Sequence, residues 1–288
     1  GLIFLSLLVA IALRLSRHGT AVQADLRHPI KHAFVAAFPI SVLLLGTLSA
    51  TALDPQGLVG PILWWLGALG ELVATVWVLT RWLRAKEQGG LQWAAVTPVL
   101  FIPVVGNVIV PLAGIPLGFG EWAAAQFAIG LFLWPALLVL LIARMVMAGP
   151  LPGRMTGTLF IMAAPPSVIG LGLLLAGAPV GWSLALWGLA LAFVVLALRQ
   201  LPGCFEQAFG MPMWSLSFPL AAFATLSVRL AQTGVLPGWL AMLALALASM
   251  VVAALLRWTA WGLRRGDLLQ PEPSPVGAPP PAAARALA

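Results

Sequence analysis

The sequence predicts an all-α polytopic membrane protein, and three observations carry that prediction. Hydrophobic residues make up 61% of the 288 positions and charged residues only 8%, against about 25% charged in soluble domains. Nine apolar stretches follow one another, most of them long enough to cross about 30 Å of hydrocarbon as a helix. Basic residues fall almost wholly on alternate connecting loops, which is how a multi-pass chain records its orientation.

The nine stretches lie at approximately 1–15, 33–53, 60–83, 94–117, 122–147, 157–177, 180–201, 211–231 and 237–261. Arg14, Arg17, Arg27 and Lys31 separate the first from the second; Arg81, Arg84 and Lys86 separate the third from the fourth. Arg144 and Arg154 follow the fifth, Arg199 follows the seventh, and Arg257, Arg264, Arg265 and Arg285 end the chain. That places fourteen of the fifteen Lys and Arg residues on one side, with only Arg229 on the other. The C-terminus is therefore expected in the cytoplasm. The net charge of +7 is sorted by membrane side and does not gather on one water-exposed face, which argues against a nucleic-acid partner.

The internal prolines alternate. Pro39 lies in the second stretch, Pro98, Pro103, Pro111 and Pro116 in the fourth, Pro165 and Pro166 in the sixth, Pro212 and Pro219 in the eighth. Apart from Pro135, the stretches between them have none away from their ends. A helix-interior proline removes an N–H and bends the axis, and in lipid the freed carbonyl must face protein or a water-filled cavity. The expectation is a repeat of helical hairpins, with a bent helix inside around a central path and a smooth helix outside. The first stretch begins at Gly1 and reaches Arg14 after thirteen residues, and it lacks a bent partner. The pattern thus predicts nine helices of a ten-helix, five-hairpin bundle whose N-terminal helix is missing. The membrane domain is expected at 1–266, followed by a disordered Pro/Ala-rich cytoplasmic tail at 267–288. Cys204 is the only cysteine, so no intramolecular disulfide can form.

Catalysis finds little support. His18, His28 and His32 all lie in the first cytoplasmic loop, and there is no HExxH, no GxSxG and no carboxylate pair at helical spacing. The reading calls for no enzyme, metal or cofactor. Glu71 is the one acid well inside a stretch and a candidate proton site; the plainer alternative is a pairing with Thr75 one turn on, or a neutral carboxyl at a helix contact. Asn107 could line the path or tie helices together. Arg27, His28 and Lys31 could draw anions into a cytoplasmic mouth, or simply set topology and start a helix at Pro29. The bent stretches hold no Asp or Glu, so nothing there would hold a cation by charge. A narrow uncharged path under a positive mouth favours anions that shed water easily. Ser41, Thr47, Asn107, Ser167 and Ser217 are the candidate replacement donors.

Four segments, "ADLRHPIKHAFVAAFPIS", "TPVLFIPVVGNVIVPLAGIPLG", "FIMAAPPSVIG" and "WSLSFPLAAFA", resemble, in the same order, the family of bacterial tellurite-resistance protein A, fungal malate and sulfite transporters and the plant guard-cell slow anion channel. The likeness runs from about residue 5 to 262. It implies ten helices in five hairpins, a homotrimer in membrane lipid with one anion pore per subunit, and a phenylalanine plugging each pore. On the matching motif that gate is Phe218, followed by Pro219. The inner stretches would then line the pore with Phe34, Phe38, Pro39, Phe101, Pro103, Asn107, Phe160, Pro165 and Ser217. The expected function is an anion channel of a bacterial cytoplasmic membrane passing small monovalent anions such as chloride or nitrate. The alternative is a proton-coupled carrier of C4-dicarboxylates, sulfite or a tellurite-related anion.

Overall fold

The computed structural model describes residues 2–85, 88–200, 202 and 209–269, so Lys86, Cys204 and the tail beyond Leu269 lie outside the described residues. Among these the fold is helical, with no strand. Seven helical stretches are long and apolar enough to cross a membrane: 31–53, 59–82, 120–148, 155–175, 180–200, 211–232 and 238–265. The first predicted stretch falls on α1 (Leu2–Arg17), which meets α2 (Gly19–Arg27) at a bend of 102°. The fourth is shorter than predicted, Pro98–Gly114. It is cut short at its start because Thr97 is extended at φ −139°, ψ 164°.

The remaining helices are α3 (Ala37–Leu48), α4 (Val59–Trp82), α5 (Ile102–Ile109), α6 (Pro111–Gly114), α7 (Gly120–Ala148), α8 (Ala164–Leu175), α9 (Val180–Gln200), α10 (Ser217–Gln232) and α11 (Gly238–Arg265). The four most extensive helix contacts are the sequential pairs α3 with α4, α5 with α7, α8 with α9 and α10 with α11. The proline-bearing members also touch one another in order, α3 to α5 to α8 to α10, forming an inner arc. Burial follows the same division in part. The 155–175 stretch is 83% buried, against 22% in each of α7, α9 and α11, whose exposed apolar faces suit lipid, while 31–53 and α4 are alike at 39%.

Pro39, Pro103, Pro165 and Pro219 act differently from the sequence expectation. They do not break α-helices midway; each stands in the first turn of an α-helix that follows a 3₁₀ segment. Pro111, by contrast, divides α5 from α6 as a helix-interior proline does, and Pro135 lies inside α7. The 3₁₀ segments are Lys31–Ala36, Pro98–Phe101, Gly153–Ala163 and Met211–Leu216. Pro39, Pro103, Pro165 and Pro219 are the third, second, second and third residues of α3, α5, α8 and α10. An amide there has no partner four residues back within its own α-helix, so its absence costs little. The carbonyls before it are taken by the tighter pattern, with Ile102 N–H on Val99 O, Ala164 N–H on Ile161 O and Ser217 N–H on Trp214 O.

Close packing of α3 against α4 rests on glycine. A Cβ at Gly67 would lie 2.7 Å from the Leu43 nitrogen, and one at Gly46 would lie 2.8 Å from the Trp64 nitrogen. Small residues let backbones approach where lipid gives no hydrophobic drive for association. Trp64 is fully buried; it donates its Nε1–H to the Val110 carbonyl at 2.9 Å and stacks on Phe119 with centroids 5.1 Å apart. This pins α4 to the junction of α5 and α6.

Candidate functional site

Phe218 is the second residue of α10, directly after the 3₁₀ segment, and is half-buried against the apolar core. Pro219 behind it is buried. The turn below is tied outward, since Trp214 Nε1–H donates to Thr259 Oγ1 of α11 at 2.9 Å. Phe101 and Phe160 are sealed in the core at 1% exposure, as are Pro103 and Pro165. Phe34 and Phe38 are instead 50% and 46% exposed. Phe38 stacks on Phe4 of α1, with centroids 6.3 Å apart. With Pro39 it lines an apolar groove of about 540 Å³ between α1, α3 and α4, where Leu66 and Trp77 form the far wall. The structure therefore divides the five phenylalanines into three settings.

The hydroxyls proposed as donors are already engaged. Ser41 donates to Ala37 O at 2.7 Å, Thr47 to Leu43 O at 2.9 Å, Ser167 to Ala163 O at 2.7 Å and Ser217 to Trp214 O at 2.7 Å. A hydroxyl has one proton to give, so each is spent on its own helix. Asn107 is fully buried and faces the outer helices. Its amide donates to Thr75 Oγ1 of α4 at 2.8 Å and to Pro103 O at 3.1 Å, and its Oδ1 accepts from Gln126 Nε2 of α7 at 3.2 Å. Gln126 also donates to Ala68 O at 2.8 Å and accepts from Trp122 Nε1 at 2.9 Å. Thr75, Gln126 and Trp122 thus complete a network of which sequence reasoning singled out only Asn107 and Thr75. Asn107→Leu would leave Gln126 and Thr75 short of partners, with an expected loss of about 1–3 kcal/mol of stability, read as a lower unfolding temperature in detergent.

Glu71 sits beside this network at 0% exposure, and neither carboxyl oxygen has a hydrogen-bond partner. Thr75, one turn on, directs its hydroxyl to backbone carbonyls. The Thr75 hydroxyl lies 2.8 Å from the backbone carbonyl of Glu71 and 2.6 Å from that of Pro103.

At the basic end, His28 Nδ1 accepts from the backbone N–H groups of Ile30 and Lys31 at 3.1 and 3.2 Å, which turns the chain after Pro29. Asp25 draws on both Arg14 and Lys31, the latter at 3.6 Å. Arg81 of α4 donates to the carbonyls of Leu26 and Arg27, and Trp82 Nε1–H donates to His32 Nε2 at 2.9 Å. Arg27, His28 and Lys31 are thereby gathered over the start of the α3 stretch. Asp25 and Arg81, which hold them there, escaped the sequence reading because their partners are about eleven and fifty-five positions away.

The sequence that builds this inner arc and basic end has known relatives. Residues 1–260 match the family described as voltage-dependent anion channel. The chain is 26% identical over 251 residues to an uncharacterized transporter of Methanocaldococcus jannaschii, covering 78% of this chain and 71% of that protein. It is 23% identical over 271 residues to a tellurite resistance protein TehA homolog of Haemophilus influenzae, covering 92% and 79%. An S-type anion channel of Arabidopsis thaliana is 27% identical over 248 residues, covering 83% of this chain and 46% of the plant protein. With nearly its whole helical body matched, this multi-pass membrane chain belongs to the voltage-dependent anion channel family, a family of channels and transporters and not of enzymes.

Proposed function

We propose that the chain forms a passive anion channel in a bacterial cytoplasmic membrane, with its C-terminus in the cytoplasm and three copies assembled as a trimer. The observation that carries this reading is the chemistry of the inner arc. The helices α3, α5 and α8 contain no charged residue, and their serine and threonine protons are spent on backbone carbonyls. Such a wall offers an ion little in exchange for its water. The anions that lose water most cheaply, nitrate and chloride ahead of sulfite or a dicarboxylate, pass best. The basic residues around Arg27, His28, Lys31 and Arg81 raise the local anion concentration at the cytoplasmic end. Phe218, at the junction of 3₁₀ and α-helix, closes the path at rest.

Reconstitution in liposomes tests the channel reading. Chloride and nitrate efflux driven by a potassium diffusion potential is expected to proceed equally with and without an imposed proton gradient, with nitrate ahead of chloride and malate far behind. Malate uptake that collapses with the proton gradient would replace the channel by a carrier.

A further inference from the structure

Glu71 is unlike every other acid among the described residues. Asp25 has basic partners, whereas Glu71 lies at the α4–α5 contact with no exposure and no basic partner, and neither of its oxygens makes a hydrogen bond of good geometry. The space it occupies is built for it. A Cβ added to Gly106 on α5 would collide with the Glu71 carboxyl itself, so Gly106 leaves the notch into which the group fits. Thr75, one turn along α4, and Asn107, next to Gly106 on α5, turn their polar atoms to one another and to Pro103 O.

Among the described residues no other titratable group faces it on the elements packed against α4. The segments 37–48 and 102–109, which pack on α4 as α3 and α5, contain no Asp, Glu, Lys, Arg or His. On α7, Glu121 and Arg144 stand near the two ends, and the side chain toward this cluster is Gln126. Lys31 and His32 precede α3 at the basic end, where His32 accepts from Trp82 and Lys31 meets Asp25. Arg81 of α4 is turned to the α2 carbonyls. A carboxylate anion fully buried without a cation in a membrane interior is one of the costliest arrangements a protein can hold. The neutral acid fits the notch without that cost.

We infer that Glu71 is an intramembrane proton-binding site set between the outer helix α4 and the inner helix α5, and that release of its proton moves α5 against the anion path. The inference rests on the channel reading for its functional consequence, not for the proton site itself. Loss of the proton creates a charge that must gain water or donors. The carboxyl rests in the Gly106 notch, so water entering there drives α5 away from α4 and toward the path that the inner arc borders. The path narrows as the pH rises. Gly106 is thus a positioning residue, and Glu71 the group that binds the proton.

The test uses the full chain in liposomes with equal pH on both sides. Anion flux is expected to fall about fivefold or more between about pH 6 and about pH 10, and Glu71→Gln, which keeps size and neutrality, is expected to hold the acid value throughout. Infrared difference spectra of the same liposomes should show the carbonyl stretch of a neutral, unbonded carboxyl that vanishes as the flux falls. That band should shift in wild-type protein made with isotopically labelled glutamate, which requires no variant to fold, and be missing in Glu71→Gln. Absence of the band, or a pH-dependent loss of flux that persists in Glu71→Gln, overturns the inference. Should no flux be seen at any pH, the channel reading and the coupling to α5 fall together, while the band alone still decides whether Glu71 holds the proton.

Discussion

Phe218→Ala is expected to raise anion conductance by about tenfold or more, the change produced by lowering a permeation barrier by about 1.4 kcal/mol. The ring stands at the start of α10, half-buried against the core. Its removal opens space at the inner arc without hollowing the protein. Phe101 and Phe160 provide the contrast. Both are 1% exposed, so alanine at either leaves a core cavity, with an expected cost of about 3–5 kcal/mol and no gain in current. Planar-bilayer recordings and unfolding temperatures on the three variants separate the outcomes. An unchanged current in a folded Phe218→Ala protein removes the gate from this position.

The second large effect concerns assembly of the bundle. Gly67→Val is expected to abolish recovery of folded protein, because its Cβ would lie 2.7 Å from the Leu43 nitrogen and 3.0 Å from the Leu43 Cα. These are backbone atoms and cannot swing aside as a side chain does. Overpacking alone costs about 1–3 kcal/mol, and here the whole α3–α4 hairpin must part to admit the new atoms. Gly188 on α9 is the control. A Cβ there meets nothing within 4 Å, so Gly188→Ala should leave the protein intact and gain slightly from helix propensity. Size-exclusion elution of the two proteins in detergent reads the difference; a Gly67→Val protein eluting as wild type would show that α3 and α4 can separate freely.

Much of this architecture is legible in the sequence because membranes restrict what a chain can do. Length fixes where helices cross, and the alternation of Pro39, Pro103, Pro165 and Pro219 with smoother stretches marks the inner arc, since a missing N–H is better placed in protein than in lipid. What proline cannot report is which hydrogen-bond pattern precedes it. A kinked α-helix and a 3₁₀ segment that hands over to a fresh α-helix both accommodate the ring. The site was legible in types more than in directions. Asn107 is on an inner helix, yet its amide is turned to Thr75 and Gln126, because an unpaired amide in the membrane costs more than the turn. Glu71 announced itself by charge alone. Its partner in shape, Gly106, carries no chemical signal and emerges only when the two helices are placed together.

The 3₁₀ segments leave these helices wound more tightly at one end than at the other. A 3₁₀ residue advances about 2.0 Å and turns about 120°, whereas an α residue advances about 1.5 Å and turns about 100°. Rewinding the six residues Met211–Leu216 into α-helix would shorten that stretch by about 3 Å and swing everything after it by about 120°. The aromatic ring at position 218 thus sits at the head of a screw thread, and a few carbonyls exchanging donors one place along the chain would be enough to turn it from one side of the helix to another.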